Sequence, residues 1–262
     1  MLFRSTYGLI SSDQPVFASE VVRYIGEPIA AVVADDEDIC ARALAAIEVE
    51  YEVLPALTDA RLASNPETAH IHPDGNVIRE QNVICGDLSV VGDVIVEDRY
   101  TIGMQDQAFL GLEAALAIPD ADGAGVECHV ATQWLHEDLG QIAACLDLPE
   151  TSIRLVLGGV GGAFGGREDI SLQVHVCLLA LATGRPVKMH YSRSESFLGH
   201  VHRHPAEIWM RHHATNDGRI VKIEAEYVFD CGAYASTSSA VLVNAVTHTQ
   251  GPYKCDNAHV RG

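Results

Sequence analysis

The chain has 262 residues, 48% of them hydrophobic, and a formal net charge of −19 with histidine neutral. That much apolar material supports one large core or two smaller ones and excludes a disordered chain. The acidic balance, with no local cluster of lysine or arginine to offset it, would repel a phosphate backbone and excludes nucleic acid as a partner.

Taken in chain order, residues 21–25 and 29–34 read as two extended runs around Gly26-Glu27-Pro28, where Pro28 disfavours helix at Glu27, so a hairpin-like start is expected. Asp35 to Asp38 place acids at the positive end of a helix whose apolar residues Ile39, Ala43, Leu44, Ala46 and Ile47 recur at helical spacing. A strand over 48–53 completes a β-β-α-β unit. Residues 55–82 carry three prolines and little periodicity and read as a surface linker. Strands follow at 90–96, 100–102 and 114–118. Then β and α alternate: strand 126–131, helix 134–146, strand 153–157, helix 167–183 and strand 186–191. Two such crossovers predict a partly parallel sheet. The helix over 134–146 has one apolar stripe, whereas 170–182 is apolar nearly all round and is expected to be deeply buried. Asn216-Asp217-Gly218 lies between alternating runs at 206–213 and 219–229 and marks a hairpin.

Seven cysteines, at 40, 85, 128, 145, 177, 231 and 255, include no C-x-x-C pair and have mostly apolar neighbours. They suit buried thiols in a reducing cytoplasm better than a disulfide framework or an iron–sulfur site. No apolar run reaches the roughly 18 residues of a membrane span, and the first residues lack the regions of a signal peptide, so neither a span nor export is expected. The chain stops at Val260-Arg261-Gly262, straight after strand-like sequence, and reads as cut short.

The densest local feature is Gly158-Gly159-Val160-Gly161-Gly162-Ala163-Phe164-Gly165-Gly166, between a predicted strand and a buried helix. Glycines admit positive φ and close backbone approach, and successive N–H groups at a helix start form an anion site; a turn allowing tight helix packing is the plainer explanation. The loop is neither a Walker A motif nor a G-x-G-x-x-G, which disfavours a nucleotide-binding dehydrogenase. Glu168 falls in the first turn of the predicted helix, so its carboxylate is expected where the loop points, although acid at a helix start is also ordinary capping. Gln133 ends one strand and opens the next helix, at the carboxyl edge of a sheet where ligands bind in open α/β folds. His200, His202 and His204 alternate and, on a strand, would share one face and invite a metal. Against this, only Glu195 supplies a partner at ligand spacing, and Arg203 and Arg211 raise the cost of a cation. No nucleophilic triad or carboxylate pair stands out.

Over essentially its whole length the sequence resembles the molybdopterin-binding subunits of the xanthine dehydrogenase and aldehyde oxidase family. Tyr24-Ile25-Gly26-Glu27-Pro28-Ile29-Ala30-Ala31-Val32-Val33-Ala34 resembles the end of its hammerhead-type domain. Gln105-Asp106-Gln107-Ala108-Phe109-Leu110, Ala131-Thr132-Gln133, the run from Gly161 to Arg167-Glu168, and Arg203-His204-Pro205 resemble its first cofactor-binding domain. The resemblance implies an α+β (mixed α/β) fold: residues 1–58 as the C-terminal part of the hammerhead-type domain, 59–82 as linker, and 83–262 as a truncated first molybdopterin-binding domain with a mixed, partly parallel sheet.

It further implies a molybdenum–molybdopterin cofactor bound by Gln133, Gly162, Phe164 and Gly165. Gln133 corresponds to the glutamine that hydrogen-bonds a molybdenum oxo ligand, Phe164 to the residue whose N–H approaches the metal, and Glu168 to the glutamate that contacts substrate in purine-oxidising members. The family's catalytic base, a glutamate far toward the C-terminus, has no counterpart here, so no catalytic residue is assigned and the isolated chain is expected not to turn over. Where purine-oxidising members carry a substrate-binding arginine, the position falls near Asn244, which disfavours xanthine; an acid often found after the Gln105–Leu110 motif is replaced by Gly111. The implied activity is hydroxylation of a nitrogen heterocycle or an aldehyde as small-molecule substrate, with water as the oxygen source. Expected partners are subunits carrying iron–sulfur clusters and FAD, and a complementary C-terminal molybdopterin-binding segment. The alternative is a non-catalytic assembly module of such a complex.

Overall fold

The computed structural model describes residues 6–262. In chain order the elements are β1 (Thr6–Tyr7), β2 (Gln14–Pro15), α1 (Glu37–Ala45), α2 (Ala60–Ala63), β3 (Asn82–Cys85), β4 (Val94–Ile102), β5 (Ala114–Pro119), β6 (Val126–Val130), α3 (Leu135–Leu146), β7 (Ile153–Leu157), α4 (Gln173–Thr183), β8 (Val187–His190), α5 (Arg193–Gly199), β9 (Ala206–Ala214), β10 (Ile220–Phe229), α6 (Ser238–Thr247) and β11 (Ala258–Arg261). They form two compact units. One comprises the described residues up to Leu54 with Asp106–His202; the other comprises Pro55–Gln105 with Arg203–Gly262.

The first unit is built on a four-stranded sheet in the order β7-β6-β5-β8. β6 and β7 run parallel, joined by the crossover helix α3, while β5 pairs antiparallel with β6 and β8. The core packs α3 and α4 on this sheet, with Ile142, Leu146, Leu172, Val174, Val176, Cys177 and Ala180 almost fully excluded from solvent. α4 is apolar on nearly every side, as its sequence predicts, and carries one buried polar ring, His175, whose Nε2 lies 2.6 Å from the Val16 carbonyl. Asp138 is buried within α3; one carboxylate oxygen accepts from Gln173 Nε2 at 3.2 Å. α1 is capped by Asp36, whose side chain accepts from the Ile39 N–H, so the acidic run sits at the helix start as expected.

Three expectations are corrected in this unit. The runs at 21–25, 29–34 and 48–53 form no strands, because no ladder partner for them exists among the described residues; they stay irregular, with Ile25 and Val53 exposed. α4 begins at Gln173 rather than 167. α5, which the periodicity did not signal, is held by a capping box in which Ser192 accepts from the Glu195 N–H and Glu195 accepts from the Ser192 N–H.

The second unit is a five-stranded sheet in the order β3-β11-β10-β9-β4. β9 and β10 form the expected hairpin around Asn216-Asp217-Gly218, with Gly218 at φ 87°. The runs at 90–96 and 100–102 merge into one strand, β4, which pairs antiparallel with β9 from Val94↔Ala214 to Ile102↔Ala206 and forms one edge of the sheet. α6, also unpredicted, covers one side through Leu242 and Val246. In the segment 55–82, Arg61 forms ion pairs with Glu207 and Glu226. No disulfide joins the seven cysteines; Cys128, Cys145, Cys177 and Cys255 are buried, but Cys85 is exposed and Cys40 and Cys231 are half-buried, so burial holds for four of them.

Candidate functional site

The C-terminal ends of the parallel pair β6 and β7 lie side by side, with Val130 opposite Leu157. The segment 131–134 leaves one strand and the glycine loop leaves the other, tethered at the start by the Gly158 N–H to the Val130 carbonyl at 2.9 Å. Adjacent strand ends feeding two loops are where open sheets place ligands.

The loop then runs through Gly161, Gly162, Phe164 and Gly165, all at positive φ. Gly161 is there for closeness. A Cβ on it would come within 2.9 Å of Gly111 Cα, and its carbonyl accepts from the Gly111 N–H at 3.1 Å. Gly111 is therefore a requirement of packing: a Cβ there would press on Gly161 Cα at 3.2 Å. At Gly165 nothing lies near a would-be Cβ, and glycine is demanded by φ 83° alone. Phe164 holds φ 52°, an uncommon conformation for a bulky residue, and is 78% exposed. The N–H groups of Gly162, Ala163, Phe164 and Gly165 find no acceptor among the described residues.

What holds the loop in this shape is Arg167, named in the motif but given no role by sequence reasoning. Its side chain is buried, and its guanidinium donates to the carbonyls of Gly162, Ala131 and Gly111. It stacks 4.2 Å from the Phe109 ring centre. Burial pushes the guanidinium below its usual range, opposed by the Glu113 carboxylate. The signal in the sequence was a single cation directly after the glycine run.

Gln133 closes the other side. Its side-chain oxygen accepts from the Arg167 N–H at 3.1 Å, and its own N–H donates to the Arg167 carbonyl at 2.9 Å. The amide nitrogen has no protein acceptor among the described residues, and the residue is exposed. Thr132 adds a weaker bond, its hydroxyl donating to the Arg167 carbonyl at 3.3 Å. Glu168 follows immediately but lies outside the helix. Residues 167–172 are taken up by the Gln133 clamp and by a turn in which the Ser171 N–H donates to Gln173 Oε1. Helix capping is thus not its role. Burial raises the Glu168 carboxyl above its ordinary range, and the neighbouring Asp169 adds to this.

Gln133 on one loop, and Gly162, Phe164, Gly165 and Glu168 on the next, are thus joined by the Gln133–Arg167 bonds. Four N–H groups without acceptors, a spare amide donor and a glycine-flanked approach suit a large, anionic, hydrogen-bond-accepting group such as a pterin dithiolene cofactor with its phosphate. The alternating histidines behave differently from expectation. Residues 200–202 are not in a strand; His200 and His202 meet Asp106 instead, while His204, in the second unit, places Nε2 at 2.8 Å from Ser238 Oγ.

Comparison with known proteins gives a consistent result. Residues 71–262 match the family model described as molybdopterin cofactor-binding domain, and residues 4–55 match the aldehyde oxidase and xanthine dehydrogenase a/b hammerhead domain. The chain is 36% identical over 259 residues to a probable xanthine dehydrogenase subunit of Bacillus subtilis (strain 168), covering 98% of this chain and 35% of that protein. It is 35% identical over 260 residues to the nicotinate dehydrogenase large molybdopterin subunit of Eubacterium barkeri, covering 98% of this chain and 61% of that protein. The aldehyde oxidoreductase from Desulfovibrio gigas superposes with a TM-score of 0.92 at 27% identity, over 99% of this chain and 29% of that one. This chain therefore spans less than two thirds of each.

Proposed function

The chain belongs to the molybdopterin cofactor-binding family of xanthine dehydrogenases and aldehyde oxidases, and on that basis we propose that it forms one wall of a molybdenum hydroxylase active site. The observation that carries this reading is the Gln133–Arg167 clamp, which fixes four unsatisfied loop N–H groups and a spare amide donor at the ends of β6 and β7. When bound, the cofactor would supply the two-electron chemistry for hydroxylating a carbon with oxygen from water. The protein's part is positional and electrostatic. The Gly162–Gly165 amides would hold the cofactor's anionic groups, and Phe164 would offer its N–H where glycine neighbours leave room. Gln133 would hold the cofactor with its side-chain amide N–H, preorganised by the bond its side-chain carbonyl accepts from the Arg167 N–H. Glu168, its carboxyl raised by burial, recognises an N–H or a protonated ring nitrogen of a nitrogen heterocycle. An aldehyde is the other substrate class of this reading.

We assign the base that activates water to a complementary C-terminal molybdopterin-binding segment, and electron removal to iron–sulfur and flavin partners in the cytoplasm. No helix among the described residues is long and apolar enough to cross a membrane. The partition into residues 1–58, 59–82 and 83–262 is part of the same reading. Co-expression of this chain with a complementary segment, followed by molybdenum and pterin quantification, tests it. Near-stoichiometric cofactor with oxidation of a heterocycle or aldehyde is expected. A stable assembly without cofactor would instead make the chain an assembly module.

A further inference from the structure

We propose that Asp106, His200 and His202 form a site for one divalent transition-metal ion of the zinc class, distinct from the glycine-loop ligand and independent of the molybdenum reading. Asp106 Oδ2 lies 3.0 Å from Nε2 of His200 and 3.0 Å from Nε2 of His202. One donor atom from each of the three residues lies within 4.8 Å of the others. The two imidazoles stack at 5.0 Å between ring centres and 17° between planes, presenting both Nε2 atoms to the same oxygen.

An ordinary histidine–aspartate contact does not account for this arrangement. Neither contact has hydrogen-bond geometry: Asp106 Oδ2 and both ring nitrogens of His200 are buried without a hydrogen-bond partner, and the His200 side chain is only 2% exposed. Buried polar atoms are rarely left so, and an ion between them would satisfy the converging lone pairs together. Asp106 is also preset for the role. Its Oδ1 accepts from the Ala108 N–H at 2.5 Å, in a turn where Ala108 takes φ 47°, so Oδ2 is held toward the histidines. Bonds of about 2.0–2.2 Å to a tetrahedral ion place its ligand atoms about 3.3 Å apart, close to the two Asp106–histidine distances. Two imidazoles and one carboxylate favour zinc, cobalt or nickel over magnesium or calcium. Asp106 and His202 each remain 18% exposed, leaving a side for water as a further ligand.

The surroundings agree. Glu113, buried with both carboxylate oxygens unpartnered, adds negative potential at His200. The arginines that argued against a cation in the sequence are engaged elsewhere: Arg203 donates to the Gly103 carbonyl, and Arg211 pairs with Glu97. His200 packs on Phe109, which lies under Arg167, so the ion would brace the floor of the glycine loop.

The test uses the untagged full chain, stripped with chelator and titrated with Co²⁺ and Zn²⁺ by calorimetry and visible absorption. One ion per chain is expected. Asp106→Asn keeps the acceptor for Ala108, and His202→Gln changes a half-buried ring; each should weaken binding by at least about 100-fold with unchanged circular dichroism. Affinity in both variants equal to the unsubstituted chain, or no uptake by folded unsubstituted chain, overturns the proposal. Persistence of a protonated His–Asp cluster in imidazole ¹⁵N spectra under saturating Zn²⁺ would do the same.

Discussion

Gln133 and Arg167 bond each other in both directions: the Gln133 side chain accepts from the Arg167 N–H, and the Gln133 N–H donates to the Arg167 carbonyl. One side chain therefore has two separable tasks, since its oxygen shapes the loop while its nitrogen is left to donate elsewhere.

Gln133→Glu keeps an acceptor for Arg167 and removes the amide donors. In the assembled enzyme it should retain cofactor and lose roughly 10²–10³ in turnover, the cost of one preorganised donor. Gln133→Ala should also lose cofactor, because the clamp goes with it. Molybdenum content measured beside kcat separates the two, and full activity in loaded Gln133→Glu would confine the residue to loop shaping.

Arg167→Lys retains the charge but not the fork that serves three carbonyls. It should lower unfolding stability by about 2 kcal/mol, read from the denaturant midpoint, since half-buried carbonyls lose charged donors. A midpoint unmoved by the substitution would show that solvent satisfies those carbonyls.

For Glu168, the informative quantity is a ratio of substrates. Glu168→Gln should reduce kcat/KM roughly 10²-fold for a nitrogen heterocycle and far less for an aldehyde, which offers the carboxylate no N–H. Equal losses on both would make it a general electrostatic residue.

Asp138 gives a pH-dependent prediction. Burial pushes its carboxyl up to about 6 from 3.8, so between those values the folded state binds the proton more tightly than the unfolded chain. Its favourable contribution is therefore present below pH 4 and lost as pH rises through about 6. Asp138→Asn retains an acceptor for Gln173 and removes the charge. It should stabilise by roughly 2–3 kcal/mol at pH 7 and by nothing at pH 3.5. A constant difference across that range would refute the assignment.

Much of the first unit was legible because its signals are local. Period and length located β6, α3 and β7, and Asn216-Asp217-Gly218 located the hairpin in the second unit. The glycine run marked the loop, and its order with Gln133 and Glu168 marked the family. What escaped depends on distant groups. Residues 167–172 read as helix because the apolar stretch from 170 runs on into α4, but the Gln133 clamp takes both backbone groups of Arg167 and Gln173 Oε1 takes the Ser171 N–H. Extended runs at 21–34 read as strands, yet a strand exists only with a partner to bond. Asp106 could not be paired with His200 and His202 from spacing, since only the fold brings them together.

The sheet of the second unit also sets an order of events. β4 pairs with β9, so Ile102 waits for Ala206, and Gln105 is bridged to Arg203 with the Arg203 N–H donating to the Gln105 carbonyl at 3.0 Å. All of Asp106–His202 is synthesised between these partners, and it belongs to the other compact unit. A nascent β4 must therefore stay unpaired until the intervening segment has emerged, and closure is slow while that segment is still loose chain. The charges of Glu97, Asp98 and Arg99 in the middle of β4 suit such a delay, because they keep a waiting strand from recruiting another molecule's edge.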